Sequence, residues 1–141
     1  MNQTQKRWAA AALTLLWIAF IFCRSLRDGT ESTQESNFFL TRLLTILPGL
    51  TAYFVRKAAH FTEYLILGAL LVRTMRAWEI ADPLPAAFAG LLVALTDETI
   101  QRFVPGRSGS PIDVWLDFSG VVAGLLLVWL IRRLRKRSKK A

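Results

Sequence analysis

The sequence predicts an all-α protein: a polytopic membrane helical bundle of about four transmembrane helices, with a short interfacial helix between the first and second. Hydrophobic residues make up 53% of the 141 residues. Runs such as residues 8–23 and 114–131 contain almost no charge, and about 20 such residues suffice for a helix to cross a bilayer. Charged residues gather where these runs end. This length suits a single membrane domain covering residues 1–141.

The first part of the chain predicts one span followed by a surface segment. Residues 7–24 lack a small-residue cleavage site at their end, so we predict a retained membrane helix and no signal peptide. Residues 28–37 are polar and aperiodic, which indicates an exposed loop. Residues 38–47 are too few to cross a bilayer and place their polar residues on one helical face, which predicts the interfacial helix.

The second part predicts three more spans. A helix over residues 53–73 brings charged residues into the membrane thickness, because its charge-free run is only residues 65–72. If the helix instead shifts outward and ends near residue 78, these charged residues lie outside the membrane. Two prolines open the next helix, which covers residues 83–102. The last helix begins with a serine cap and a proline and covers residues 110–131.

The basic residues predict the orientation. Four spans place eleven Lys and Arg residues on the side of both termini and seven on the other side. Both termini are therefore predicted to be cytoplasmic, with the polar clusters facing outward. The net charge of +8 comes mostly from the tail, residues 132–141, which suits anionic lipids and does not suit nucleic acid.

Several chemistries are excluded by what the sequence lacks. Its single cysteine, Cys23, excludes an intrachain disulfide and a CxxC pair. There is no Gly-rich phosphate loop, no HExxH and no G-x-S-x-G, so the standard enzyme signatures are absent.

The first polar cluster stands at the start of the second span. Arg56, His60 and Glu63 share one helical face, with Lys57 and Tyr64 beside it. The pair His60 and Glu63 can hold a metal, a proton or a polar headgroup. The alternative is a histidine locked by Glu63 to stabilise packing.

The second cluster stands at the end of the third span. Asp97, Glu98 and Gln101 lie within one turn, and acids at a helix C-terminus oppose the helix dipole by about 0.3–1 kcal/mol each. Cations such as Arg56 and Arg107 are available to offset them. A structural ion-pair network and a ligand site are equally consistent with this pattern.

The third cluster stands at the start of the fourth span. Asp113 can be explained as the acid of a capping box with Ser110. Asp117 lies one turn deeper on the same face, where no cap needs it. Gly120 and Gly124 form a small-xxx-small pattern that lets another helix approach, within the chain or between subunits.

Together the clusters predict one polar pocket near the outer face that binds a phosphate-bearing or zwitterionic headgroup, or a divalent cation. The cofactor is left open, with a divalent metal as one candidate on His60, Glu63, Glu98 and Asp117. The predicted pocket residues are Arg56, Lys57, His60, Glu63, Tyr64, Asp97, Glu98, Gln101, Arg107, Asp113 and Asp117.

Residues 54–124 resemble the paired signature of VanZ-like membrane proteins. The segments RKAAHFTEYLILGALL and TDETIQRFVPGRSGSPIDVWLDFSGVVAG carry the match. The matching positions are Lys57, His60, Phe61, Glu63, Tyr64, Asp97, Glu98, Gln101, Phe103, Pro105, Arg107, Asp113, Asp117 and Gly120. The resemblance implies a small multi-pass protein of the bacterial cell envelope, in the inner (plasma) membrane, and a link to teicoplanin-type glycopeptide resistance.

The sequence is consistent with three functions. The leading one is binding of a lipid-linked or lipophilic ligand at the outward-facing pocket. The second is a metal-assisted hydrolase or transferase acting on an envelope lipid phosphate, with Glu63 or Glu98 as base, His60 as ligand or acid, and Arg107 stabilising the phosphate. The third is a structural helper that pairs with itself or another membrane protein through Gly120 and Gly124.

Overall fold

The structure is a computed structural model that describes residues 1–27, 29, 34, 37, 38, 41, 51–107 and 109–138. Within this part of the chain the protein is all-α and contains no strand. Its four long helices are α1 (Gln3–Ser25), α2 (Ala52–Ala77), α3 (Leu84–Arg102) and α4 (Pro111–Ser138).

Local sequence signals mark the helix boundaries, and α1 begins four residues before the predicted residues 7–24. A capping box between Asn2 and Gln5 begins α1, because each side chain accepts a hydrogen bond from the other residue's backbone N–H. Prolines stand in the first turns of α3 and α4, as predicted. The last helix runs seven residues further than predicted, into the basic tail, because no glycine or proline interrupts it there. The predicted loop at residues 28–37 and interfacial helix at residues 38–47 lie almost wholly outside the described residues.

The helices alternate in direction, which gives the bundle two distinct ends. Near its N-terminus, α1 meets the end of α2, where the Arg7 guanidinium donates to the Ala77 carbonyl (2.9 Å) and pairs with Glu79. Near its C-terminus, α1 meets the first half of α2 through an ion pair of Arg24 with Glu63 (2.9 Å). All three polar clusters therefore lie at the second end, away from both described termini.

Helices α1 and α2 are joined by hydrogen bonds at mid-height. The hydroxyls of Thr14 and Thr74 are 2.8 Å apart, and both lie near the Ala10 carbonyl (3.1 Å each). Closer to the polar end, the Trp17 indole N–H donates to the Glu63 carbonyl (2.9 Å). Polar contacts of this kind stabilise helix pairs in an apolar solvent, where the hydrophobic effect between helices is weak.

The most extensive helix interface joins α2 and α4, and glycines on both helices make it close. A Cβ added at Gly120 would lie 2.6 Å from the Phe61 carbonyl oxygen, and one added at Gly124 would overlap the Leu65 carbonyl oxygen. From the other side, Gly68 faces the backbone of Val121 in the same way. The glycine pattern of α4 therefore serves contact within the chain.

Much of the bundle's outer surface is apolar. Large side chains such as Leu16, Trp115 and Leu126 are exposed, while a small core around Leu67 and Val121 is buried. Of the helices described, α1 and α4 are long and apolar enough to cross a membrane, with mean hydropathies of 1.6 and 2.1 over their most apolar windows. The four spans predicted from the sequence remain a prediction for α2 and α3.

Replacing Gly124 with alanine is expected to destabilise the protein by about 1–3 kcal/mol, because the new methyl group collides with backbone and cannot be relieved by a side-chain rotation. In an open helix the same change stabilises by up to about 1 kcal/mol, so the sign is diagnostic. The measurement is the thermal unfolding midpoint in detergent. Ser119→Ala, on the exposed side of α4, is the control. An unchanged or higher midpoint for Gly124→Ala would contradict the close contact.

Candidate functional site

A cavity of about 170 Å³ opens at the polar end of the bundle, between α2, α3, α4 and the turn that joins α3 to α4. Eight of the eleven residues predicted for the pocket line it, so residues from three separate segments do meet. These eight are Arg56, Lys57, His60, Glu98, Gln101, Arg107, Asp113 and Asp117.

The other three predicted residues lie outside the lining. Glu63 is turned towards α1, where it pairs with Arg24. Tyr64 and Asp97 are fully buried between the helices. The predicted stripe of α2 is thus divided between two neighbours: His60 faces the cavity and Glu63 faces α1. Sequence spacing shows which residues share a face, but it does not show how wide that face is relative to the packed helices.

An ion pair ties the starts of α2 and α4 together at the cavity. Lys57 Nζ pairs with Asp113 Oδ1, and the Lys57 ammonium also lies over the Tyr53 ring, 5.2 Å from its centroid. The predicted capping-box partner of Ser110 is therefore engaged with α2. This pair therefore joins α2 to α4 at the cavity wall.

Glu98 takes over the role that the sequence assigned to Asp113. Its Oε2 accepts the backbone N–H of Ser110 at 2.8 Å, while the Ser110 hydroxyl accepts the N–H of Ile112 at 3.3 Å. An acid from the end of α3 therefore holds the residue that begins α4. This contact fixes two helix ends against each other and offsets part of the unfavourable position of an acid at a helix C-terminus.

A second hydrogen-bond chain links α3 to α1. The Gln101 amide donates to Asp97 Oδ2 (3.1 Å) and to the Ser25 hydroxyl (3.3 Å). All three side chains are buried. Gln101 lines the cavity as well, so it connects the cavity wall to the end of α1.

A tight turn over residues 104–107 places Arg107 at the cavity. The Arg107 N–H donates to the Val104 carbonyl (3.2 Å), and Gly106 has φ 72°, which together with Pro105 fits a type II turn. The Arg107 Nη2 donates to the Arg24 carbonyl (3.1 Å), whereas its Nε is buried without a hydrogen-bond partner. Burial lowers the pKa of the Arg107 guanidinium, and the nearby positive charge of Arg56 lowers this pKa further.

Two buried carboxylates, Asp117 in the cavity wall and Asp97 outside the lining, are incompletely satisfied. Both oxygens of Asp117, and Oδ1 of Asp97, are buried with no hydrogen-bond partner among the described residues. The nearest described base to Asp117 is His60, whose Nδ1 lies 3.6 Å from Asp117 Oδ1, too far for a hydrogen bond. In the described part of the chain, one potential ligand atom from each of these three residues lies within 4.8 Å of the others.

This cluster differs from the metal candidates predicted from the sequence. His60 and Asp117 remain, but Glu63 and Glu98 have other partners, and Asp97 joins in their place. The sequence could not select Asp97 over Glu98, because adjacent residues on a helix point about 100° apart and the rotation of α3 was unknown. It also missed the contributions of Arg24 and Ser25, although both lie in the last turn of α1, on the side of the polar clusters.

Comparison with known proteins identifies one family. The family model described as VanZ/LLP1 matches residues 10–132, which is most of the chain. No curated protein and no solved structure matches the chain.

Glu98→Ala is expected to lower stability by about 1–3 kcal/mol, because the part-buried Ser110 N–H loses its acceptor. Glu98→Gln keeps a carbonyl oxygen at this position and is expected to retain most of the stability. The measurement is again the thermal unfolding midpoint in detergent. Equal midpoints for the two variants would show that the contact between α3 and α4 contributes nothing.

Proposed function

The chain belongs to the VanZ/LLP1 family, and from the cavity at its polar end we propose that it binds the phosphate-bearing headgroup of a lipid-linked ligand. One observation carries the proposal: two guanidinium groups, from Arg56 and Arg107, line one small cavity close enough for their charges to repel. An anion between them would relieve that repulsion.

The hydrogen-bonding groups of the cavity favour phosphate. Arginine presents planar, paired donors that match phosphate oxygens, and such charge-assisted bonds are about twice as strong as neutral ones. Arg107 Nε is a buried donor without an acceptor, so a ligand oxygen there would satisfy it. The volume of about 170 Å³ holds a headgroup fragment, whereas a whole lipid would have to leave its chains outside.

The membrane setting explains why the ligand would be lipid-linked. The family match and the two apolar helices indicate a membrane protein. We propose four spans in a bacterial inner membrane, with both termini in the cytoplasm, as the distribution of basic residues predicts. The cavity then lies at the outer leaflet, within reach of a headgroup whose chains stay in the bilayer. Through the family, this binding step would connect to teicoplanin-type resistance.

At the opposite end of the bundle, we propose a second site, which binds anionic lipids. A groove between α2 and α4 combines an apolar floor with four arginines. Basic grooves between helices at the cytoplasmic face suit anionic lipid headgroups. This supports association of anionic lipids with the basic end of α4. The groove arginines are Arg73, Arg76, Arg132 and Arg135.

A phosphate hydrolase or transferase remains the second candidate, because the cluster of His60, Asp97 and Asp117 could hold a metal beside the arginines. Release of inorganic phosphate from a polyprenyl phosphate with Mg²⁺, Mn²⁺ or Zn²⁺ would support it. The structural helper has less support, because Gly120 and Gly124 are used in the contact with α2.

Arg56→Gln and Arg107→Gln are each expected to reduce retention of an added polyprenyl phosphate at least about tenfold, because each removes a charge-assisted donor. The measurement is native mass spectrometry of the full chain released from detergent. Arg102→Gln is the matched control: it removes the same charge at the same end, from an exposed residue outside the cavity lining.

Competition experiments show which part of the ligand the site recognises. Displacement by inorganic phosphate would indicate a site for phosphate itself, whereas displacement only by polyprenyl phosphates would indicate recognition of the lipid as well. Equal retention by wild type and all three variants would contradict the proposed site. The same variants, expressed in a bacterial host, test the resistance link by the inhibitory concentration of teicoplanin.

Arg76→Gln combined with Arg132→Gln is expected to lower retention of phosphatidylglycerol more than Arg133→Gln combined with Arg137→Gln. Both pairs remove two charges, but only the first faces the groove. Lipid co-purification from nanodiscs measures the difference. Equal losses would mean that the basic tail attracts anionic lipids diffusely, with no site in the groove.

A further inference from the structure

The feature of the polar end that the proposed function does not explain is the pair of buried carboxylates, Asp97 and Asp117. Both residues are 0% exposed. Three of their four oxygens lack a hydrogen-bond partner, and only Asp97 Oδ2 accepts one, from Gln101. Buried carboxylates without partners are costly, and in native proteins such groups usually mark a missing ion, water or proton.

The residues around the two carboxylates indicate what could compensate their buried negative charges. The other acids that the structure describes at the polar end have partners: Glu63 pairs with Arg24, Asp113 pairs with Lys57, and Glu98 accepts the Ser110 N–H. Asp97 and Asp117, which keep unsatisfied oxygens, lie together beside the His60 imidazole. A protonated His60 could balance one carboxylate, but a second negative charge would remain inside an apolar bundle.

We propose that His60, Asp97 and Asp117 form a binding site for a divalent transition-metal cation. Such an ion, bound by a neutral imidazole and two carboxylates, cancels both buried charges. One nitrogen and two oxygens are the ligand types that Zn²⁺ and Mn²⁺ take in proteins. Mg²⁺ and Ca²⁺ prefer oxygen ligands alone, so an imidazole at the site disfavours them.

The geometry allows the ion with small adjustments. Ligands about 2.1 Å from a tetrahedral ion lie about 3.4 Å from one another. His60 Nδ1 and Asp117 Oδ1 are already 3.6 Å apart, and the three ligand atoms all lie within 4.8 Å. The ligands come from α2, α3 and α4, so the ion would join three helices at one point.

The position of the site adds a role in ligand binding. His60 and Asp117 line the cavity, so the open coordination position of the ion would face it. A phosphate oxygen could then bind the ion while the guanidinium groups of Arg56 and Arg107 hold the others. This bridging role rests on the proposed function, whereas the metal site itself stands on the buried carboxylates alone.

The test uses the full chain in detergent, stripped with EDTA and titrated with Zn²⁺ or Mn²⁺ alone. Equilibrium dialysis with elemental analysis is expected to give one tightly bound ion per chain. Asp117→Asn and Asp97→Asn are expected to weaken binding at least about 100-fold. Asp113→Asn is the matched control, because it makes the same change one turn away on α4, at an acid engaged with Lys57. It is expected to bind as wild type does.

A second variant distinguishes loss of a metal ligand from loss of folding. His60→Cys keeps a ligand, so in the presence of Co²⁺ it is expected to show the near-ultraviolet charge-transfer absorption of a thiolate bound to the ion. Wild type with Co²⁺ is expected to show only the visible absorption of a site with nitrogen and oxygen ligands. Absence of the thiolate band, in protein that unfolds at the wild-type midpoint, would overturn the assignment of His60.

The outcomes separate the two proposals. No bound ion in wild type, or equal binding by Asp117→Asn and Asp113→Asn, overturns the metal site. If polyprenyl phosphate is still retained in an Arg107-dependent way after EDTA treatment, the bridging role fails and the proposed headgroup site stands. Loss of retention on EDTA treatment, restored by Zn²⁺ or Mn²⁺, supports both.

Discussion

The burial of acidic side chains at one end of an apolar bundle is the constraint on which the rest of the structure depends. Asp97 and Asp117 lie between helices whose remaining contacts are mostly aliphatic. Removing a charge from water costs several kcal/mol unless a partner repays it. The nearby polar groups are arranged accordingly: Gln101 donates to one carboxylate, and His60 lies near the other. A bound cation would complete the compensation.

Close packing between α2 and α4 makes this arrangement possible. Because Gly68, Gly120 and Gly124 have no side chains, the two backbones touch along one line. That line ends at the polar end, where the same helices present His60 and Asp117 to each other. The glycines therefore set the distance between two side chains of the proposed site, so substitutions at these glycines would also alter that site.

The charged residues at the polar end fall into two groups. Some charges hold helix ends together: Arg24 with Glu63 joins α1 to α2, Lys57 with Asp113 joins α2 to α4, and Glu98 joins α3 to the start of α4. Beside these pairs, the guanidinium groups of Arg56 and Arg107 line the cavity, and His60 and Asp117 in its wall form a cluster with the buried Asp97. The structural role is therefore observed for some residues of the clusters, and the ligand-binding role is proposed for others.

The sequence by itself determined the helical class, the four long helices, their limits to within a few residues except at the basic tail, and the meeting of three polar clusters at one end. Length, apolar runs, capping residues and prolines act locally, so they can be read from the order of residues. Only the tertiary structure decided which acid faces which partner. The rotation of each helix about its axis is set by packing, and adjacent positions such as Asp97 and Glu98 therefore acquire different roles. The same packing turned Glu63 towards Arg24 and left Asp97 beside His60, a distinction that no spacing of residues along the chain contains.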